Sequence, residues 1–174
     1  MGTSWPISNF TGVIEQLFAD RNKKFATAAE LRSFVEGVAQ KVNEGITKED
    51  VLVRTHDSDI YPYTRTEKLA DEMEKFYADF FVKLNDGTNP RDFAAWVEYR
   101  IDLTDHFFAD GCGKAAKAIA GWVLIREKQQ LPKYRGREEY YTNAPTVIRG
   151  TDANTDREQY ERWVNYYKSL FTSL

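Results

Sequence analysis

The sequence predicts a single, mainly α-helical domain with one small β-hairpin. Its 174 residues are enough for one hydrophobic core and too few for two ordinary domains. Apolar residues recur at helical spacing along most of the chain, and only one short stretch is rich in β-branched residues. Aromatic residues make up 14% of the chain, which favours a well-packed globular core.

Two helices are expected in the N-terminal part, over residues 8–45. The first follows Ser8 or Asn9, either of which is a good helix N-cap. The second follows Thr27, which forms a capping box with Glu30. The buried faces of these helices are marked by Phe10, Val13, Ile14, Leu17 and Phe18, and by Leu31, Phe34, Val35, Val38 and Val42.

A hairpin is expected over residues 51–61. Apolar and β-branched residues begin it, turn-forming residues at 56–59 interrupt it, and extended character resumes before Pro62. An exposed strand edge offers unpaired amides to a partner, although a plain connecting hairpin fits the sequence equally well. The strand residues are Val51, Leu52, Val53, Ile60 and Tyr61.

Two further helices are expected to lead to the central stretch of the chain. Thr64 and Glu67 form a second capping box, and the apolar spacing after it predicts a helix that ends near Gly87. Asn89 is then an N-cap with a proline at the first helical position, and this next helix should run up to His106.

A helix of small apolar residues is expected from about residue 113, and its composition places it at the centre of the domain. Leu131 and Pro132 should end it. A last helix is expected over about residues 156–172, where aromatic residues recur at helical spacing.

Residues 106–117 combine a titratable base, a carboxylate, a glycine-flanked turn and cations. They lie where a loop should lead into the small-residue helix, and a helix N-terminus attracts anions through its unpaired N–H groups and its dipole. Gly111 and Gly113 let the backbone approach a phosphate closely, and Lys114 and Lys117 lie one turn apart on one face. The spacing therefore predicts an anion site.

The composition argues against several other classes of function. The net charge of -3, with scattered Lys and Arg, disfavours a nucleic-acid-binding surface. A single cysteine rules out an internal disulfide, and the sequence has no Cys/His cluster with metal-binding spacing. Apolar runs are too short to span a membrane, and residues 1–9 lack the layout of a secretion signal. We expect a cytoplasmic protein; delivery into another cell by a specialised route would leave no mark in the sequence.

The central stretch resembles the Fic domain motif. That motif reads H-P-F-x-D/E-G-N-G-R/K-x-x-R, and residues 106–117 read H-F-F-A-D-G-C-G-K-A-A-K. The surrounding order is also similar, from the hairpin through an Asn-Pro-capped helix to an Arg-x-x-Tyr-Tyr segment at residues 137–141, so the motif-bearing core covers about residues 50–142. The resemblance implies an all-α, Fic-like helical domain with a β-hairpin flap. It also implies a transferase that moves AMP from ATP onto a hydroxyl of a target protein.

The resemblance implies a role for each residue of the motif. His106 would be the general base, Asp110 would hold a Mg²⁺ that bridges the nucleotide phosphates, and Phe108 would anchor the loop in the core. The five strand residues of the hairpin would dock an extended segment of the target. The implied phosphate contacts are the amides of Gly111, Cys112 and Gly113 and the side chains of Lys114 and Lys117.

The chain departs from the motif at several positions. Cys112 replaces an asparagine whose amide usually contacts the α-phosphate, which puts the transferred group in question. Lysines replace arginines at positions 114 and 117, giving point charges in place of planar forks. Asp105 either orients His106 or faces water. Asp110 is also a candidate helix cap, and the two lysines are also candidates for solvated charges.

The expected function is Mg²⁺-dependent transfer of a nucleoside monophosphate to a Ser, Thr or Tyr hydroxyl of a protein. One alternative is a Fic-fold phosphotransferase that uses a different donor or group. Another is a catalytically degenerate Fic-fold binding module. A partial match to the inhibitory helix of Fic proteins at residues 11–16 is insufficient to assign one, so control by a separate inhibitory partner stays open.

Overall fold

The computed structural model describes residues 7–44 and 52–171, and these form seven α-helices and one π-helical segment. The predicted all-α class is confirmed. Within these ranges, no helix is both long enough and apolar enough to cross a membrane. The helices are α1 (Ile7–Ala19), α2 (Ala28–Asn43), α3 (Thr66–Asn85), α4 (Pro90–Glu98), the π-helix (Tyr99–Thr104), α5 (Cys112–Arg126), α6 (Arg137–Thr142) and α7 (Ala153–Ser169).

The central helix is α5, as its small apolar residues predict. It packs against α1, α2 and α4, while α7 packs on the other side of α4. Alanines at positions 115, 116, 118 and 120 are fully buried and let the neighbouring helices approach closely. The surrounding aromatic side chains fill the space, with Trp122 of α5 against Phe34 and Phe80. The N-terminus of α5 is therefore fixed by a rigid core.

Two of the predicted helix starts are confirmed by their caps. The Thr27 hydroxyl accepts a hydrogen bond from the Glu30 N–H at the start of α2. The Asn89 side chain accepts bonds from two N–H groups at the start of α4, and Pro90 is the first helical residue. The predicted capping box at Thr64 is wrong. Helix α3 starts at Thr66, whose N–H donates to the Asp57 carboxylate at 2.7 Å.

The helix that leads to His106 changes type before it arrives. The prediction of one continuous helix is correct as far as Glu98, after which Tyr99–Thr104 winds as a π-helix. Its wider turn is seen in the bond from the Asp105 N–H to the Arg100 carbonyl, five residues back. Such segments are frequent at functional sites.

The predicted hairpin is not formed over its described part, residues 52–61. Val53 instead makes an isolated antiparallel bridge with Phe108 in the motif loop, the loop of residues 105–111 that joins the π-helix to α5. The second strand is absent from this part because the Ser58 hydroxyl accepts the N–H groups of both Ile60 and Tyr61, which turns the chain. Val51 lies outside the described residues.

The last two of the predicted helices, α5 and α7, differ slightly from the prediction, and α6 was not predicted. Helix α5 ends at Arg126, before the Leu131–Pro132 pair, because Lys128 adopts a left-handed conformation with φ 53°. The N–H groups of Lys128 and Gln129 then bond back to the last carbonyls of the helix, as in a Schellman cap. Helix α7 starts three residues earlier than expected, because Asp152 caps it through the Thr155 N–H.

Candidate functional site

A cavity of about 600 Å³ opens at the N-terminus of α5. Its walls come from the π-helix, the motif loop, the first turns of α5 and the segment around α6. Every predicted catalytic, metal and phosphate residue lines it: His106, Asp110, Gly111, Cys112, Gly113, Lys114 and Lys117. The structure therefore brings the motif side chains together around one hollow.

The His106 ring is fixed by a hydrogen bond to the backbone. Its Nδ1 lies 2.8 Å from the Asp102 carbonyl oxygen. A carbonyl can only accept, so Nδ1 carries the proton and Nε2 keeps the free lone pair. The neutral imidazole is thus in the tautomer that accepts a proton at Nε2.

Tyr63 supports the same ring from one face. Its ring stacks on the His106 imidazole with centroids 4.1 Å apart and planes 8° from parallel. Tyr61 stacks in turn on Tyr63, with centroids 5.3 Å apart. His106 has φ 49°, a conformation that needs surrounding contacts to persist. The stack and the Asp102 bond are two such contacts.

Burial lowers the pKa of His106 below its ordinary value of 6.5. The Asp102 backbone bond and carboxylate act in the opposite direction and raise the pKa, but burial is the larger effect. The imidazole is therefore neutral at pH 7, the form that can accept a proton.

The loop that leads into α5 packs closely against the end of α2. Gly111 caps α5 with φ 61°. Its missing side chain makes room for Asn43 of α2, since a Cβ there would lie 1.8 Å from the Asn43 Oδ1. Asn43 donates to the Asp110 carbonyl at 2.8 Å, so α2 holds the loop from outside.

Cys112 takes a structural position at the first residue of α5. Its thiol donates to the Ile101 carbonyl at 2.9 Å and is almost fully buried. Burial raises the pKa of this thiol well above its usual value, so it is neutral. The side chain therefore ties α5 to the π-helix.

Asp110 presents an exposed carboxylate at the cavity. One of its oxygens accepts the Gly111 N–H at 2.7 Å. The N-cap of α5 is Gly111, so the interpretation of Asp110 as the N-cap is wrong. An exposed carboxylate with a second oxygen is a suitable ligand for Mg²⁺.

The two lysines of the motif have different surroundings. Lys117 lies 3.4 Å from the fully buried Glu98 carboxylate, and its ammonium sits 4.1 Å from the centre of the Tyr140 ring. Tyr134 and Tyr140 also donate their hydroxyls to Glu98. Burial raises the pKa of Glu98, and the charge of Lys117 opposes that shift. Lys114 lies nearer the cavity mouth with Asp110 close by.

Asp105 neither faces water nor contacts the His106 ring in the described bonds. It is 0% exposed, and its carboxylate accepts from Arg100 at 2.5 Å, from Thr64 at 2.6 Å and from Arg149 at 3.0 Å. Both arginines also pair with Glu72 of α3. This network fixes the backbone immediately before His106.

The described flap residues lie beside the cavity and do not line it. Leu52 and Val53 pair with the motif loop, where the Leu52 carbonyl accepts the Ala109 N–H at 2.9 Å. Ile60 and Tyr61 are 84% and 46% exposed. Arg54, between them, donates to the His106 carbonyl at 2.9 Å and the Asp105 carbonyl at 3.0 Å. The segment is thus attached to the loop that carries His106.

Sequence reasoning missed several residues that shape the site. Asp102 and Glu98 precede His106 by one and two helical turns, so their spacing could have indicated that they share its face. Asn43 and Tyr63 carry no local signal that points to the motif. They are brought in by tertiary packing.

The fold is similar to that of solved Fic structures. A Fic domain-containing signaling protein from Bacteroides thetaiotaomicron matches with a TM-score of 0.71 at 17% identity, over 94% of this chain and 66% of that one. IbpAFic2 matches with a TM-score of 0.68 at 16% identity, over 93% of this chain and 54% of that one. It was solved as a histidine-to-alanine variant in complex with adenylylated Cdc42, and also covalently tethered to Cdc42.

These similarities concern the fold. The chain spans between 54% and 66% of the length of the solved chains it matches. No protein-family profile matches the chain, and no curated protein sequence matches it. The chain has the all-α fold of a Fic domain, as the motif resemblance implied.

Proposed function

Because the chain has the fold of a Fic domain, we propose that it is a Fic-type transferase that attaches a nucleoside monophosphate, AMP from ATP, to a protein hydroxyl. The observation that carries the proposal is the tautomer of His106. Its Nδ1 proton is committed to the Asp102 carbonyl, and the ring lines a cavity at the start of α5. A base that can accept a proton at Nε2 therefore lies beside the N-terminus of α5, which is suited to bind a phosphate.

The reaction would proceed by attack of a Ser, Thr or Tyr hydroxyl on the α-phosphorus of the nucleotide. His106 Nε2 would take the hydroxyl proton as the new oxygen–phosphorus bond forms. The bond between the α-phosphorus and the bridging oxygen would break, and pyrophosphate would leave. Positioning and charge stabilisation provide most of the acceleration in transfers of this kind.

The phosphates would be bound by the start of α5. The N–H groups at Cys112 and Gly113 lie at a helix N-terminus, and Lys114 adds a positive charge beside them. Asp110 would hold Mg²⁺, which supplies charge neutralisation to the phosphates when bound. A carboxylate exposed to the cavity fits that role.

The position of Lys117 favours a second candidate, a Fic-fold transferase that uses a different donor. The Lys117 ammonium pairs with the buried Glu98 carboxylate, so its positive charge is partly neutralised within the protein. The Cys112 thiol likewise bonds to the Ile101 carbonyl. At two positions where the Fic motif would contact phosphates, the side chains of Lys117 and Cys112 thus contact other parts of the protein. This favours a donor with different phosphate contacts.

Labelled nucleotides test the proposal. The protein should be incubated with cell lysate, Mg²⁺ and ATP labelled at either the α- or the γ-phosphate. Because kinases of the lysate also transfer the γ-phosphate, labelling is compared with lysate that lacks the protein. We expect the protein to add label from the α position alone. Added label from the γ position alone would show phosphate transfer in place of nucleotide transfer.

The chain's two histidines provide a matched pair of variants. His106→Ala should abolish labelling, because it removes the base. His56→Ala should leave it unchanged, because His56 is exposed and its ring bonds to Thr55 away from the cavity. Equal labelling by wild type and His106→Ala would refute the role of His106. Absence of labelling by the wild type with every nucleotide tried would favour a binding module.

A further inference from the structure

Three side chains with different metal-binding chemistry converge on the floor of the cavity. The Asp102 carboxylate, the His106 imidazole and the Cys112 thiol each offer a ligand atom, and these atoms all lie within 4.8 Å of one another. All three residues line the cavity. Asp102 and Cys112 are 3% and 2% exposed, so the cluster is protected from bulk solvent. The transfer reaction proposed above uses the imidazole alone.

The distances within the cluster are close to those of a metal site. Nitrogen, oxygen and sulfur ligands lie about 2.0–2.3 Å from zinc, so tetrahedral ligand atoms are roughly 3.3–3.8 Å apart. His106 Nδ1 is already 3.6 Å from the Asp102 Oδ1. The other separations between ligand atoms need to close by about 1.5 Å at most. Rotation of the carboxylate and the thiol can provide this, since a glycine at position 113 leaves space beside the Asp102 carboxylate.

We propose that Asp102, His106 and Cys112 form a binding site for a thiophilic divalent cation of the zinc class, and that this cation turns off the base. The donor set selects the class of ion. Thiolate and imidazole ligands favour Zn²⁺ and similar ions, whereas Mg²⁺ prefers oxygen ligands. Three protein ligands would leave a fourth position that opens to the cavity.

Binding at this site would exchange two existing hydrogen bonds for metal bonds. The Cys112 thiol would release its proton to solvent and leave the Ile101 carbonyl, and His106 Nδ1 would leave the Asp102 carbonyl. An imidazole that binds a metal through Nδ1 carries its proton on Nε2. The lone pair that would accept a hydroxyl proton is then lost.

The cation would therefore act as an inhibitor by taking the lone pair of the base out of use. This inhibitory consequence rests on the proposed transferase function, but the binding site does not. The two can be tested separately, because metal binding is measurable without nucleotide or target.

Cobalt absorption spectroscopy tests the site directly. Co²⁺ commonly replaces Zn²⁺ in sites of this chemistry, and a thiolate ligand gives it a strong charge-transfer absorption in the near ultraviolet. Cys112 is the sole cysteine of the chain, so such a band in untagged protein can arise from no other residue. We expect one Co²⁺ per chain with this band, and loss of the band when Zn²⁺ is added. Absence of the band in wild-type protein at a large excess of Co²⁺ would overturn the proposal.

Variants then identify the ligands. Asp102→Asn keeps an oxygen that can accept from Tyr140 but weakens the metal ligand, so Co²⁺ affinity should fall about tenfold or more. Glu138→Gln is the matched control, because Glu138 is an exposed carboxylate that does not line the cavity, and Co²⁺ affinity should not change. Equal affinity in Asp102→Asn and wild type, or equal weakening in both variants, would overturn the site.

Inhibition is measured last. In labelled-nucleotide transfer at fixed Mg²⁺, Zn²⁺ should inhibit the wild type, and the Cys112→Asn variant should lose most of this sensitivity. If the wild type binds Co²⁺ with the thiolate band but Zn²⁺ leaves transfer unaffected, the inhibitory half of the proposal is refuted. If no transfer occurs at all, the transferase proposal fails and the cation site is still decided by the spectra.

Discussion

Replacing Asp105 by alanine should strongly destabilise the protein. Its carboxylate is fully buried and accepts side-chain bonds from Arg100, Thr64 and Arg149. Removing it leaves the Arg100 guanidinium buried with only Glu72 as a charged partner. Breaking a buried ion pair in this way costs about 3–5 kcal/mol. For a domain of this size, 1 kcal/mol corresponds to roughly 2–4 °C, so the melting temperature should fall by roughly 6–20 °C.

Thermal unfolding followed by circular dichroism measures this effect, with Asp110→Ala as the matched control. Asp110 is the other carboxylate of the loop, but it is exposed and accepts one bond from its neighbour's N–H. Its replacement should change the melting temperature far less. Asp105→Asn should lie between the two, since it retains an acceptor oxygen. If the melting temperatures of Asp105→Ala and Asp110→Ala are both close to that of the wild type, the ion network does not stabilise the loop.

Three further predictions follow from the geometry of the loop. Because burial lowers the pKa of His106, kcat/KM for transfer should begin to decrease only when the pH falls below 6.5. A decrease in kcat/KM that begins above pH 6.5 would contradict this. Tyr63→Ala should lower kcat/KM roughly 2- to 13-fold, from a stacking energy of about 0.5–1.5 kcal/mol, whereas Tyr63→Phe keeps the stack and should retain activity. Gly111→Ala should lower the urea midpoint, because left-handed backbone costs an alanine about 1–2 kcal/mol and its Cβ would displace the Asn43 amide. Gly113→Ala should cost less, and equal losses would refute this argument.

The features predicted well from the sequence are those that depend on neighbours along the chain. Asn89 followed by proline identifies the start of α4, and the small residues of α5 identify the central helix. The site residues from His106 onward are contiguous, so any loop that leads into a helix brings them together. The spacing of the motif was therefore sufficient to place the cavity.

The features that were missed depend on contacts between distant parts of the chain. The hairpin prediction is wrong because Val53 pairs with Phe108. The N–H groups of Ile60 and Tyr61, in the expected second strand, donate to the Ser58 hydroxyl. The sequence suits Asp105 equally to water or to His106, and two of its three actual side-chain partners, Thr64 and Arg149, lie 41 and 44 residues away. Local periodicity cannot indicate which cation reaches a buried carboxylate.

The orientation of His106 is a consequence of how the preceding helix ends. A helix leaves its last carbonyls without backbone partners, and a buried end must satisfy them in another way. In a continuing α-helix, the backbone N–H of residue 106 would donate to the Asp102 carbonyl. Because His106 has φ 49°, its backbone turns away from the helix axis, and its ring Nδ1 donates to that carbonyl instead. The Cys112 thiol bonds the Ile101 carbonyl, and the Thr64 N–H bonds the Thr104 carbonyl.

The interactions that cap the π-helix are thus the same ones that orient the ring of the proposed base, His106. A thiol can occupy the place of the motif's asparagine without loss of the fold, because at that position it provides a donor to a helix carbonyl. Any change that unwinds the π-helix should therefore release the His106 ring from its tautomer. As denaturant is added, activity should therefore be lost before the whole domain unfolds. The His106 ring is held by one hydrogen bond and one ring stack, whereas the core around α5 is held by many apolar contacts.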